Sequence, residues 1–96
     1  MSAQIDKILE AYKNHKNLKY VNTEIKFEGN IAKIKIFGNT IALFFPDGGK
    51  MFSNCGYGEY ATTKRRLGEL GCDYHNTKNI DLDDICNKLY RYYANN

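Results

Sequence analysis

Ninety-six residues with 43% apolar and 14% aromatic side chains specify one globular domain, residues 1–96, and exclude a disordered chain. A chain of that length buries roughly 60–65% of its unfolded surface, enough for one core, so function belongs to a surface or an edge rather than a large pocket. The net charge of +3 comes from the first half, where residues 1–50 hold eight Lys against five acids; residues 51–96 hold six of each sign, and this is weak electrostatic evidence for nucleic acid.

Residues 3–15 place Ile5, Ile8, Leu9 and Tyr12 at the spacing of one helical face, with Asp6, Lys7, Glu10, Lys13 and Asn14 elsewhere on it. Ser2 is the expected N-cap, and Asp6 and Glu10 lie towards the end where the helix dipole favours acids. The helix is expected to end within Asn14-His15-Lys16-Asn17, after which Leu18 and Tyr20-Val21 lead into the first strand.

Four apolar runs follow: Thr23–Glu28, Ile31–Phe37, Thr40–Phe45 and Lys50–Asn54. They are separated by Gly29-Asn30, Gly38-Asn39 and Pro46-Asp47-Gly48-Gly49. Alternation such as Ile25-Lys26-Phe27 and Ile34-Lys35-Ile36 marks half-buried strands. The Gly-Asn links suit tight hairpins, because both residues adopt positive φ at low cost. The runs are predicted to pair antiparallel in sequence order, with Ile25, Ile34, Ile36 and Leu43 buried and the third run, apolar on both faces, best covered. Lys26, Lys33 and Lys35 alternate with Glu24 and Glu28 on the opposite face. That face reads either as solvated and cross-strand paired, or as a cationic surface for phosphate.

Cys55-Gly56-Tyr57-Gly58-Glu59-Tyr60 is a glycine-bracketed loop presenting two tyrosines. Ala61 to Gly71 reads as a helix, with Thr62 as its cap, Leu67 and Leu70 on its buried side and Gly71 as its left-handed terminator. Cys72 to Asn79 is polar, a loop or a short edge strand. Asp81 then caps a last helix with Asp83 and Asp84 in its first turn and Leu82, Ile85, Cys86, Leu89 and Tyr93 as its inner stripe.

Lys64-Arg65-Arg66 is the local anomaly, because cations at a helix N-terminus oppose its dipole. The same end offers unpaired N–H groups, so two guanidinium groups there make an anion site, with Thr62 and Thr63 as hydroxyl donors and Tyr57 and Tyr60 placed to stack on bases. The competing reading is a solvated helix face on which Arg65 and Arg66 pair with Glu69. On the anion-site reading, reversing Arg65 and Arg66 to Glu removes binding and leaves the fold intact.

Cys72-x-x-His75 has metal-ligand spacing, but a structural zinc site brings two close pairs, and Cys55 and Cys86 are isolated. Three free thiols, no metal and no cofactor are expected. An odd cysteine count without a leader segment predicts a reduced, cytoplasmic setting, and no apolar run approaches the roughly 20 residues of a membrane span.

Gly38-Asn39-Thr40-Ile41-Ala42, the Asp47-Gly48 turn, Gly56-Tyr57 and Ala61-Thr62-Thr63-Lys64-Arg65-Arg66-Leu67 together resemble a family of small phage proteins. Its members share a Gly-Asn turn before a strand, a Gly-aromatic pair and a Thr-Thr-Lys-x-Arg-Leu-Asn helix start. The resemblance covers residues 23–71; Gly68 stands where the family has Asn, and the helix from Leu82 replaces its terminal strand. It implies a phage or prophage origin and brings no activity with it.

The expected fold is therefore α+β: a four-stranded antiparallel meander with N-terminal, middle and C-terminal helices packed mainly on one face. The expected function is non-catalytic binding of a macromolecular partner in the host bacterial cytoplasm. That partner is nucleic acid met through Tyr57, Tyr60, Thr62, Thr63, Lys64, Arg65 and Arg66, or a host protein complex, such as a defence complex, that the chain inhibits.

Overall fold

The computed structural model describes residues 3–56, 61–72 and 77–94. The element order is α1 (Ala3–Lys13), β1 (Leu18–Tyr20), β2 (Thr23–Glu28), β3 (Ile31–Ile36), β4 (Asn39–Phe44), β5 (Lys50–Phe52), α2 (Ala61–Glu69) and α3 (Leu82–Ala94). The five strands pair antiparallel in sequence order. The four predicted runs are β2 to β5, neighbours as expected, and Ile25, Ile34, Ile36 and Leu43 are all buried.

The sheet has five strands rather than four. The additional β1 pairs with β2 through Leu18–Ile25, Lys19–Glu24 and Tyr20–Thr23. Its hairpin turn is Val21-Asn22, with Val21 at φ 58°. A β-branched residue in the left-handed region is rare, so the first turn position lacks the Gly or Asn that usually marks it.

The helices lie on both faces. Ile5 and Ile8 of α1 and Leu67 and Leu70 of α2 share a core with Ile25, Ile34, Ala42 and Phe44. Each fully buried Ile contributes about 2 kcal/mol of burial free energy. On the opposite face Leu82 and Cys86 of α3 pack on Ile31, Leu43 and Phe45. The expectation of helices mainly on one face thus holds for α1 and α2, while α3 covers the other side of β3 and β4. This corrects the reading of Lys33 as part of a solvated face: α3 leaves it only 7% exposed.

A β-bulge sets which residues reach which layer. The β3–β4 register runs Ile34–Ala42 and then Lys35–Thr40, so Ile41 is the extra residue. Ile41 joins Ala42 in the core on the α1/α2 side, while the Thr40 hydroxyl donates to Asp83 Oδ1 of α3 at 2.7 Å. Strict period-two alternation would have put Thr40 and Ala42 on one face; the bulge separates them.

Both described helix C-termini close by the same device. At α2 the Cys72 N–H donates to Leu67 O (2.9 Å) and Gly71 N–H to Gly68 O (3.1 Å), with Gly71 at φ 93° as the sequence predicts. At α1 the Lys16 N–H reaches Ala11 O (2.9 Å) and His15 N–H reaches Tyr12 O (3.1 Å), with His15 itself left-handed at φ 55°. Its imidazole stacks on the Phe27 ring, 4.1 Å between centroids. The start of α3 is as expected, with Asp84 N–H donating to the Asp81 carboxylate at 3.1 Å. Ser2, the expected cap of α1, lies outside the described residues.

Candidate partner-binding surface

The sequence singles out the start of α2, and the structure separates its residues into three groups. Thr62 is the second residue of the helix, inside its first turn rather than capping it; it is half-buried, and Thr63 is buried. Lys64 and Arg65 are exposed. Arg66 is only 5% exposed, and its guanidinium donates to Glu69 Oε1 at 2.9 Å. Tyr57 and Tyr60 lie outside the described residues, as does His75 of the Cys72-x-x-His75 pair.

Arg66 therefore holds Glu69 one turn along the helix, but as a buried pair rather than on the solvated face of the competing reading, and does not present its charge to solvent. Reversing it to Glu would set two carboxylates together in a buried position, which corrects the expectation that reversing Arg65 and Arg66 leaves the fold intact. The exposed cations of this helix start reduce to Lys64 and Arg65.

Beside them opens a cleft of about 410 Å³ at the end of the sheet. Its walls are Ile36 and Phe37 from the end of β3, Ile41 from the bulge, Cys55 after β5, and Thr62 and Thr63 of α2. The bulge matters here, because it is what turns Ile41 to this side. The loop beneath is tied by Ser53, whose buried hydroxyl accepts from Cys55 N–H (3.1 Å) and Ile80 N–H (2.9 Å). Asn54 N–H donates to Lys78 O at 3.0 Å, so the segment entering α3 braces the cleft from behind. Cys55 Sγ donates to Thr40 O at 2.9 Å, and burial pushes the thiol above its ordinary value against the opposing Ser53 hydrogen bond. Burial likewise raises Cys86. Neither thiol is activated, because the thiolate is the reactive form.

Phe37 on the wall of the cleft and Val21 in the neighbouring β1–β2 turn are two residues that sequence reasoning missed. Val21 and Phe37 are each 69% exposed, and each sits at positive φ, 58° and 50°. The Phe37 N–H donates to Asn22 O at 3.0 Å, so the β1–β2 and β3–β4 turns are joined side by side. Phe37 and Gly38 form a two-residue turn in which both residues have positive φ, a geometry for which Asn-Gly is the favoured pair. A bulky apolar residue there costs about 1–2 kcal/mol relative to an unstrained conformation and, at 69% exposure, gains little burial in return. The sequence signal was present as the dipeptide Phe37-Gly38, one residue earlier than the Gly38-Asn39 turn it suggests.

Fold and surface define a small α+β protein in which a helix-flanked five-stranded meander presents an apolar cleft with exposed cations beside it. The chain belongs to the Kyanoviridae Gp96 protein family, a phage family whose model matches residues 1–96. No match was found to a curated protein or to a solved structure. Among the described residues no helix is long and apolar enough to cross a membrane.

Proposed function

We propose that the protein is a non-catalytic phage accessory protein that binds a partner protein at the end of its sheet. Phe37 and Val21 form the apolar contact, the cleft receives a partner side chain, and Lys64 and Arg65 favour an acidic rim. The observation that carries this reading is Phe37, a large apolar side chain held exposed at φ 50° on the lip of the cleft. Strain retained at an exposed position without a stability return is a mark of a functional contact. A regulatory or defence complex of the infected cell is the partner class that suits a small phage protein. With a net charge of +3 the chain would act by covering a protein surface rather than by imitating DNA.

Nucleic acid is the second reading, favoured by the exposure of Lys64 and Arg65 at a helix start. Two exposed cations predict weak, salt-sensitive binding with a log–log slope of about −2. Affinity purification from infected cells, with and without nuclease, separates the two. A protein retained after nuclease by the wild type and lost with Phe37→Asn supports the first reading. Bound material that disappears with nuclease, or with Arg65→Glu but not Phe37→Asn, supports the second.

A further inference from the structure

A second surface lies along the β1 edge of the sheet, on the face that α1 covers. A groove of about 390 Å³ runs between α1 and β1. One wall is the side of α1, where Lys7, Glu10, Ala11 and Asn14 follow one another at helical spacing; the other is Leu18 and Tyr20 of the edge strand. Leu18 and Tyr20 are half-buried and share the face of Ile25 and Thr23, so their outer sides floor the groove. The Lys7 ammonium closes one end, 5.5 Å above the Tyr20 ring.

The backbone of β1 is set up for another strand. A two-residue hairpin closes on a hydrogen-bonded pair, here Tyr20–Thr23, and such pairs alternate, so Leu18–Ile25 is bonded too. The N–H and C=O of Lys19 therefore turn away from β2, towards the open edge. An edge strand beside a helix groove is the geometry by which extended peptides add to sheets: main-chain bonds hold the strand, and alternate side chains enter the groove.

Charge selects the occupant. Lys7 and Lys16 border the groove beside Glu10, and Lys19 stands on the edge with Glu24 opposite it on β2, so three cations face two acids. A second copy pairing antiparallel about Lys19 would set Lys19 opposite Lys19, and like charges directly opposite destabilise a pair. An acidic strand meets the same residues favourably. We infer that the α1–β1 groove binds an extended acidic segment of a partner protein by strand addition to Lys19, with alternate apolar side chains seated over Leu18 and Tyr20. This surface is separate from the Phe37 cleft and does not depend on it.

The probe is a fluorescein-labelled heptapeptide alternating Glu and Val, titrated into the full chain and followed by anisotropy and by backbone amide exchange. Saturable binding with new protection at the Lys19 amide is expected. Lys7→Glu combined with Lys16→Glu, both exposed positions, should weaken it about tenfold or more. N-methylation of one of the two alternate sets of peptide residues should abolish binding, and Lys19→Pro, tolerable on an edge, should do the same. A peptide alternating Lys and Val should not bind, and Phe37→Asn should have no effect. The inference is overturned by no saturable binding up to about 1 mM, by equal binding of both N-methylated peptides, or by equal binding of the Lys peptide. It is equally overturned if Lys19 becomes protected with rising protein concentration alone, which means a second copy, or if single-stranded DNA rather than the peptide protects it.

Discussion

The Lys33 ammonium lies 2.9 Å from Asp83 Oδ1, joining the middle of the sheet to the first turn of α3. The same oxygen accepts from Thr40, and Glu28 approaches Lys33 at 3.8 Å from its other side. Lys33 is the buried member and Asp83 the half-exposed one, so removing Asp83 strands a cation beneath α3. Asp83→Ala is expected to destabilise by about 2 kcal/mol, below the full figure for a buried pair because Glu28 and solvent remain. Lys33→Met should be close to neutral and should remove most of the cost of Asp83→Ala in the double variant. Urea unfolding of the four proteins checks this; additive costs would show that the pair is not coupled.

The pair also sets the pH limits. Burial opposes ionisation of Asp83, but the hydrogen bonds from Lys33 and Thr40 and the Lys33 charge prevail and hold its carboxyl below the usual value. Its contribution is present above the unfolded carboxylate pKa of about 3.9 and lost as pH falls through the lower folded value. Burial also opposes the Lys33 charge, yet Asp83 raises its pKa, so that contribution is present below pH about 10.4 and lost as pH rises beyond it. Stability measured from pH 2 to 11 should show both limbs, and Asp83→Asn should flatten the acid one.

Two glycines of one helix should respond in opposite senses. Gly68 lies inside α2, and a Cβ there would meet nothing within 4 Å, so Gly68→Ala should stabilise by about 0.5–1 kcal/mol. Gly71 has equally open surroundings but sits at φ 93°, so Gly71→Ala should destabilise by about 1 kcal/mol through backbone strain alone. Thermal melting of the two variants gives the signs directly.

The strand order, the Gly71 terminator, the Asp81 cap and the inner stripe of α3 were legible because each is written in local sequence. What was not legible depends on contacts between distant segments. Nothing around Lys33 signals that α3 will cross above it, since Ile34-Lys35-Ile36 has the same alternation as any half-solvated strand. The Ile41 bulge interrupts a run that is apolar throughout, so its register leaves no mark in hydrophobicity. β1 escaped notice because its turn opens with Val21, and the burial of Arg66 because its pairing with Glu69 reads equally well on a solvated helix face.

That last difference gives a direct contrast at the basic triplet. Arg65→Glu should leave stability within about 0.5 kcal/mol of wild type, as exposed substitutions do. Arg66→Glu should cost about 3 kcal/mol or more by placing two carboxylates together without solvent. Equal effects of the two would mean that the Arg66–Glu69 pair is not formed.

Replacing the strained turn residues should raise stability. Phe37→Asn gives the favoured Asn-Gly pair, and Val21→Gly relieves a β-branched residue at φ 58°; each should add about 1 kcal/mol. For a domain of this size that is roughly 4–8 °C in Tm. A fall in Tm for either would show that the side chain is supported in place rather than held at a cost.

The central claim, that Phe37 is kept for a protein contact, is tested most directly by titrating the nuclease-resistant partner from infected cells into wild type and Phe37→Asn by calorimetry, beside the melting temperature of each. The account predicts a more stable variant that has lost tenfold or more in affinity, about 1.4 kcal/mol or more. A variant that binds its partner as tightly as wild type would contradict it.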